Sequence, residues 1–426
     1  MNDAEAIAYL KRAAGRGYKL GLERVTELTR LLGNPQDRLS VIHIAGTNGK
    51  GSVGAMLAAI LQAAGYKTGH FASPALCSPH EYFRINGRIA TPEQFAETLT
   101  AVREQAEQMD DLPTEFEILA AAAYLMFASE HCQYAVVECC MGGDSDCTNI
   151  LTKPLLSVIT NVRKDHCAYL GNTLPEIAAH KAGIIKQNCP VLTGCRNKAV
   201  LRVIRDTAER LHAPLHQPDE TPEITAMTPE GTDCFSRTYG TLRLGLPGSY
   251  QPENAAVVLK AVTLLRQQGM EIPDAAVRRG LKECRWPARM EVLRKHPYVI
   301  FDGAHNPDGM QKAAETLTRC FGANQSLTFV IGVMADKEYQ QYPAMLLPLA
   351  AKIYTVTPDT PRALDAAALS DIFTAAGIPS AACSSVEDAV RAALDTGRHV
   401  IGLGSLYFYC AFRDAAEKLI KKDDQT

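Results

Sequence analysis

Short apolar runs rich in β-branched residues alternate with stretches of helical period along almost the whole chain, and this alternation restricts the fold more than any other feature. Val41-Ile42-His43-Ile44 precedes the helical pattern Ser52–Ala64, and Tyr134–Val137 follows that of Phe116–Ala128. Further runs lie at Leu156–Thr160, Val191–Thr193, Tyr298–Phe301, Leu327–Val333, Ile353–Val356 and His399–Leu403. Nearly all lack polar alternation, so each strand must be covered on both faces, as in a parallel sheet flanked by helices. Thr114-Glu115-Phe116-Glu117 has the form of a capping box at a helix start, and Gly65 closes the preceding helix. An α/β fold with mostly parallel sheets follows.

At 426 residues the chain exceeds the size at which a single core stops growing, roughly 250–300 residues, so two or three domains are expected. Pro214–Thr241 breaks the rhythm and reads as a β-excursion or long loop. A helix must end near Arg285–Arg289, and a second αβ series begins after Lys295-His296-Pro297. The expected boundary is therefore at about 296, giving domains 1–296 and 297–426. The tail Lys421–Thr426 is charged and expected to fray.

Forty-four basic against 47 acidic side chains leave a formal charge of −3, so no global field favours nucleic acid or an anionic membrane. Thirteen cysteines, an odd number without a C-x-x-C pair, argue against a secreted disulfide framework and for a reducing cytoplasm. The acidic start Met1–Glu5 lacks a signal-peptide pattern. The run Ile118–Ala128 falls short of the ~18–20 residues that span a bilayer. A soluble cytoplasmic protein is expected, with neither nucleic acid nor membrane as partner.

The strongest local signal is Ala45-Gly46-Thr47-Asn48-Gly49-Lys50-Gly51-Ser52, which follows a strand and opens a helix. Glycines there let backbone N–H groups close around phosphate oxygens. The helix N-terminus adds positive potential, Lys50 a point charge, and the Ser52 hydroxyl a ligand for Mg²⁺. The loop differs from G-x-x-x-x-G-K-[ST] by Gly51, inserted between Lys and Ser. Glu138 ends a strand, where a carboxylate of a parallel sheet points into the ligand crevice, and is a candidate Mg²⁺ ligand; the alternative is a surface residue before the Asx-rich turn Gly142–Asn149. Thr160–His166 brings Asp165 and His166 to the same edge. His180–Lys186 carries two lysines, between which spacing does not choose. Asp302–Pro307 again ends a strand with polar groups, and Gly402-Leu403-Gly404-Ser405 lacks a dinucleotide fingerprint and reads as a structural turn.

Taken together, Leu20–Arg24, the Gly46–Ser52 loop, Ser73-Pro74, Arg84–Gly87, Asp165–Gly171, Lys181–Lys186, Trp286–Arg289, Asp302–Pro307 and Gly404–Tyr407 occur in the order of a known family. The chain resembles folylpolyglutamate synthase/dihydrofolate synthase, within the Mur ligase superfamily, over nearly its whole length. The resemblance implies a phosphate-loop mononucleotide-binding domain and a smaller Rossmann-like α/β C-terminal domain. It implies an ATP-dependent ligase that couples L-glutamate to a folate or dihydropteroate carboxylate through an acyl phosphate. Gly46–Ser52 with Asn254, Arg289, Asp302 and His305 would bind ATP. Ser52 and Glu138 would hold one Mg²⁺ and His166 a second, supported by Lys181 as a carbamate. Lys50, His166 and Lys181 would be catalytic, and Ser73, Arg84 and Asp165 would bind substrate. It further implies a monomer and closure over the nucleotide about a hinge near 296.

Departures concentrate on the acceptor side. The family's Ser-Pro-His-Leu reads Ser73-Pro74-Ala75-Leu76, and Tyr82 replaces an Arg. Gly-Leu-Gly-Gly-Arg-Leu-Asp-Ala-Thr-Asn reads Cys140–Asn149 with Asp144 at the Arg, which reverses the local charge preference. Arg163 and Lys164, where the family often has Gly-Leu, return positive charge. Two other readings are another Mur-type ligase with a different carboxylate acceptor, and a catalytically silent ATP-binding paralogue. The first lacks a separate UDP-binding domain ahead of the loop, and the second has no need for Ser52, Glu138, His166 and Lys181 together.

Overall fold

The computed structural model describes residues 1–17, 19, 21–324 and 326–423, the last two without their side chains. Leu20 of the Leu20–Arg24 motif and the end of the charged tail, 424–426, lie outside the described residues. The chain folds into two compact units, each drawn from more than one stretch of sequence. Unit 1 is Met1–Pro222, Ser236–Leu242 and Pro252–Cys284; unit 2 is Glu223–Phe235, Arg243–Gln251 and Arg285–Thr426.

Unit 1 is built on an eight-stranded sheet of β1 Ser40–Ala45, β2 Thr68–Phe71, β3 Phe83–Ile85, β4 Arg88–Ile89, β5 Tyr134–Glu138, β6 Leu156–Ile159, β7 Val191–Thr193 and β8 Leu215–His216, in the order β4-β3-β2-β5-β1-β6-β7-β8. Six strands from β2 to β8 run parallel, while β3 and β4 add an antiparallel edge. The parallel strands are buried as their unbroken apolar runs require; every residue of β2, β6 and β7 is buried. The edge pair, three and two residues long with β4 exposed, carries no apolar run for a sequence reading to find.

Helices α1 Asp3–Ala14, α2 Glu23–Leu31, α3 Lys50–Ala63, α4 Pro92–Ala106, α5 Glu115–Ser129, α6 Cys167–Leu170, α7 Leu174–Ala182, α8 Lys198–Arg210, α9 Gln251–Gln267 and α10 Asp274–Glu283 complete the order up to residue 284. The capping box forms, with Thr114 and Glu117 each bonding the other's backbone N–H at the head of α5. Beyond it α5 is apolar on nearly every side, so the helix lies in the core with Phe71, Phe83 and Phe95.

Within Pro214–Thr241 the β-excursion is the hairpin β9 Glu223–Thr228 and β10 Gly231–Ser236, followed by β11 Gly240–Leu244. Unit 2 carries a six-stranded sheet of β12 Glu291–Lys295, β13 Tyr298–Phe301, β14 Leu327–Ile331, β15 Ala350–Thr355, β16 Ser380–Ala382 and β17 His399–Leu403, ordered β12-β13-β17-β14-β15-β16 and parallel except for β12. Its core joins Ile300, Phe329, Ile331, Tyr342, Phe373 and Ile401.

The compact units part at Cys284/Arg285 and not at 296. Residues Glu291–Lys295 pair antiparallel with Tyr298–Phe301, so Lys295-His296-Pro297 is the turn of a hairpin inside unit 2. Two short strands around a Pro-containing turn look like a linker when only the second has a clean apolar run. Gly404 donates its amide to Ala304 O, consistent with the structural turn read at Gly402–Ser405. Among the described residues no helix is long and apolar enough to cross a membrane.

Candidate active site

In unit 1 the strand order reverses around β1, with β5 on one side and β6 on the other; open parallel sheets bind ligands at the carboxyl ends of strands beside such a reversal. Ile44 of β1 is in register with Glu138 of β5, and Ala45 with Ile159 of β6. The Gly-rich loop, Glu138 and the Thr160–His166 segment therefore leave the sheet side by side.

The loop between β1 and α3 is held from behind by the segment after β6. Thr47 N donates to Asn161 O at 2.9 Å, and Asn48 N to Asn161 Oδ1 at 2.9 Å. Thr160 Oγ1 donates to Asn48 O at 2.7 Å, and the Arg163 amide donates to Thr47 Oγ1 at 3.0 Å. Those bonds use the rear amides of the loop and leave the first turn of α3, Lys50 to Ser52, as the anion-facing end. At two glycines both the contact and the positive φ disfavour a side chain. A Cβ on Gly46, at φ +155°, would lie 1.9 Å from Thr160 Oγ1, and one on Gly49, at φ +85°, 2.5 Å from Asn254 Oδ1. Asn254, near the start of α9, thus abuts the loop. It also lines a cavity of about 170 Å³ with Asn161, Arg163, Arg196 and Glu253.

Lys50 bridges the loop carbonyls of Gly46 and Thr47 at 3.2 and 3.3 Å and stands 3.7 Å from Glu138 Oε1. Glu138 is only 3% exposed, which removes the surface-residue alternative. Of the two lysines in His180–Lys186, the buried one is Lys181, in the last turn of α7. It is 3% exposed, and its Nζ donates to Gly46 O at 2.9 Å. Burial, with Lys50 nearby as a second cause, lowers its pKa from 10.5 to about 7. Lys186 is part-buried and donates to Asn149 O at 3.3 Å.

Behind Glu138 the chain turns through Met141–Asn149. Asp146, buried, accepts from Met141 N, Thr148 N and Thr148 Oγ1, and burial raises its pKa. Thr148 Oγ1 also lies 2.9 Å from His43 Nε2 on β1, and Cys139 Sγ lies 3.1 Å from the same nitrogen. Burial drops the His43 pKa to about 3 and pushes the Cys139 thiol up, so these two groups are neutral and their contacts tie β1 to the turn Met141–Asn149. Asp144 turns its carboxylate onto His180 Nδ1 at 2.9 Å.

Asp165 accepts from the His166 amide at 3.0 Å and stands 3.8 Å from His166 Nε2; the His166 side chain is 49% exposed. Ser73 hydrogen-bonds the Cys140 side chain, two residues beyond Glu138. Arg84 lies in β3 opposite His70, whose ring abuts Gly54 of α3, and so belongs to the sheet edge and not to the loop's immediate surroundings. Arg289, Asp302 and His305 cluster in unit 2. Asp302, 3% exposed, accepts from Met290 N and Ala304 N at 2.9 Å, and burial raises its pKa; Tyr250 donates to it. Gly303 packs against the Arg289 guanidinium, and His305 Nδ1 donates to Gly303 O at 2.8 Å.

Asn161, Thr160 and Asp144–His180 escaped the sequence reading as supports of the site. A Thr-Asn pair directly after an apolar strand beside a phosphate loop is the signal for the first two. The donor set suits a hard cation in part. Ser52 and Glu138 offer oxygens, whereas Lys181 as an amine offers none. Among the described residues no three His, Cys, Asp or Glu side chains form a group that could hold a metal ion by themselves.

The profile of the Mur ligase middle domain matches residues 44–262, and that of the Mur ligase glutamate ligase domain matches 288–405. Fold and site thus define an ATP-dependent ligase of the Mur type. The dihydrofolate synthase/folylpolyglutamate synthase of Bacillus subtilis is 36% identical over 413 residues, 93% of this chain and 95% of the relative. Folylpolyglutamate synthase of Mycobacterium tuberculosis complexed with ADP superposes with a TM-score of 0.87 at 29% identity over 97% of this chain and 98% of that one. Escherichia coli FolC in complex with DHPP and ADP gives 0.84 at 28% identity over 100% and 99%. The chain belongs to the folylpolyglutamate synthase/dihydrofolate synthase family.

Proposed function

We propose that this ligase joins L-glutamate to the carboxylate of a folate or dihydropteroate, with the residue roles that follow. An acceptor carboxylate oxygen attacks the γ-phosphorus of ATP and ADP leaves. The glutamate amine then attacks the acyl carbon and phosphate leaves. The first step needs charge neutralisation and alignment more than covalent help. The α3 amides and Lys50 bind and neutralise the phosphates. Asn254, against the loop, contacts the nucleotide, while Ser73, Arg84 and Asp165 contact the substrate. Ser52 and Glu138 would hold Mg²⁺, which when bound would supply positive charge at the transferred phosphoryl group.

The observation that carries this reading is the buried amine of Lys181 against the loop carbonyl. An ordinary helix lysine is solvated and cationic. This one spends much of its time neutral near pH 7, which is the form that attacks CO₂. A new N–C bond and the loss of a proton turn it into a carbamate, an oxygen donor beside the loop that with His166 would support a second Mg²⁺.

The test offers purified protein ATP, Mg²⁺, bicarbonate, labelled glutamate and one of dihydropteroate, tetrahydrofolate or a muramyl peptide, scoring phosphate release and labelled product. Acceptor-dependent release with a pteridine is expected. Release with the muramyl peptide alone, or with no acceptor, would overturn the substrate assignment.

A further inference from the structure

The turn Met141–Asn149 and the last turn of α7 lie backbone to backbone. Asp144 N donates to His180 O at 2.9 Å, and Asn149 Nδ2 bridges Asp144 O and Gly183 O at 3.1 Å each. A Cβ on Gly143 would sit 2.7 Å from His180 O and 3.0 Å from Lys181 O; one on Gly183 would sit 2.3 Å from Asp144 Cβ. Across this seam the side chains meet at Asp144 Oδ2 and His180 Nδ1, 2.9 Å apart. The carboxylate only accepts, so Nδ1 carries the proton. The next residue along α7 is Lys181, whose Nζ meets Gly46 O.

We propose that Asp144 is a positioning residue, acting through His180 to fix the last turn of α7 and hold the Lys181 amine against the phosphate loop. The carboxylate that replaces the family's Arg is thus engaged within the protein, by a hydrogen bond to a partner on the helix that carries the functional lysine. Both side chains are more than a third exposed, at 44% and 35%, so the pair adds little to global stability. Its effect is to be sought in Lys181. The proposal rests on Lys181 being the functional lysine.

The test compares wild type, Asp144→Ala, His180→Ala, the double alanine variant and the swapped pair Asp144→Arg/His180→Glu. In CO₂-free buffer without nucleotide or metal, reductive methylation of Lys181 is followed by mass spectrometry against Lys352 as reference; kcat and the KM for ATP are measured separately. The amine is read whether or not a carbamate forms, so failure of the carbamate reading leaves this test standing. Each single change should speed Lys181 methylation and lower kcat by about two- to five-fold, the range of a part-exposed ion pair. KM should hold, the double variant should be no worse than either single, and the swap should restore the wild-type rate. Unchanged methylation in the singles, additive effects, or a swap that fails to restore would overturn the proposal. So would a lowered melting temperature with the part-buried Lys50 and Lys186 labelling faster to the same degree as Lys181, since that is a merely structural role.

Discussion

Replacing Lys181 by Met removes an amine that the fold buries at a cost, and the cost has a defined pH signature. A fall in pKa from 10.5 to about 7 corresponds to a ceiling of about 5 kcal/mol, at about 1.4 kcal/mol per pH unit. Below about pH 7 both native and unfolded chains carry the proton, so the native state bears the whole penalty. Between about 7 and 10.5 the unfolded chain binds a proton that the native chain does not, and native stability rises with pH across that window. The hydrogen bond to Gly46 O returns roughly 1.5–3 kcal/mol, as bonds from charged donors do, leaving a net gain for Lys181→Met on the order of 2 kcal/mol at pH 6.5. At pH 9 wild type should have recovered about 2–3 kcal/mol relative to the variant, so the ordering disappears or inverts. Urea denaturation of both proteins at the two pH values, in CO₂-free buffer and followed by circular dichroism, measures this; comparing the pair cancels what unit 2 contributes. A wild type–variant difference that is the same at pH 6.5 and 9 would refute the buried-amine argument, whatever happens to activity.

Lys50→Met should lower acceptor-dependent phosphate release by about 10²–10³-fold, the scale for losing one charge-stabilising donor, while the circular dichroism spectrum stays that of wild type. Gly46→Ala sets a Cβ against Thr160 Oγ1 at an unfavourable φ, so it should destabilise unit 1 by about 1–3 kcal/mol and abolish nucleotide binding by calorimetry. Chelation with EDTA should stop turnover reversibly without shifting the melting temperature, because the core closes on apolar contacts and not on a metal.

What the sequence makes legible follows from how many independent signals overlap. The β1–loop–α3 unit combines an apolar run, a glycine pattern, a lysine and a helix start, and all four agree in the structure. The strands β3, β4 and β12 offer no such overlap: they are short, and β12 mixes Glu, Arg and Lys with its apolar residues. The Lys295-His296-Pro297 turn therefore reads as a boundary in the sequence. Lys181 and Lys186 have the same composition around them, and only the direction each takes from its backbone decides which is buried. At Asp144 the sequence shows the charge reversal but not its partner, because His180 lies 36 residues away and meets it only through the turn. Unit 2's Asp302 is visible as a strand-end carboxylate, whereas nothing in the sequence shows that the amides of Met290 and Ala304 turn toward it.

The four bonds that tie the phosphate loop to Thr160–Arg163 bear on the thermodynamics of nucleotide capture. A loop that must order around its ligand loses backbone entropy at the moment of binding, about 1–2 kcal/mol per residue. Here much of that loss is incurred during folding, because Thr47 and Asn48 are already fixed by the end of β6. The same bonds make the loop continuous with the stretch that carries Asp165 and His166, so thermal motion of one is motion of the other. Nucleotide binding should accordingly show a small entropic penalty, and hydrogen exchange in residues 160–166 should slow together with that of the loop.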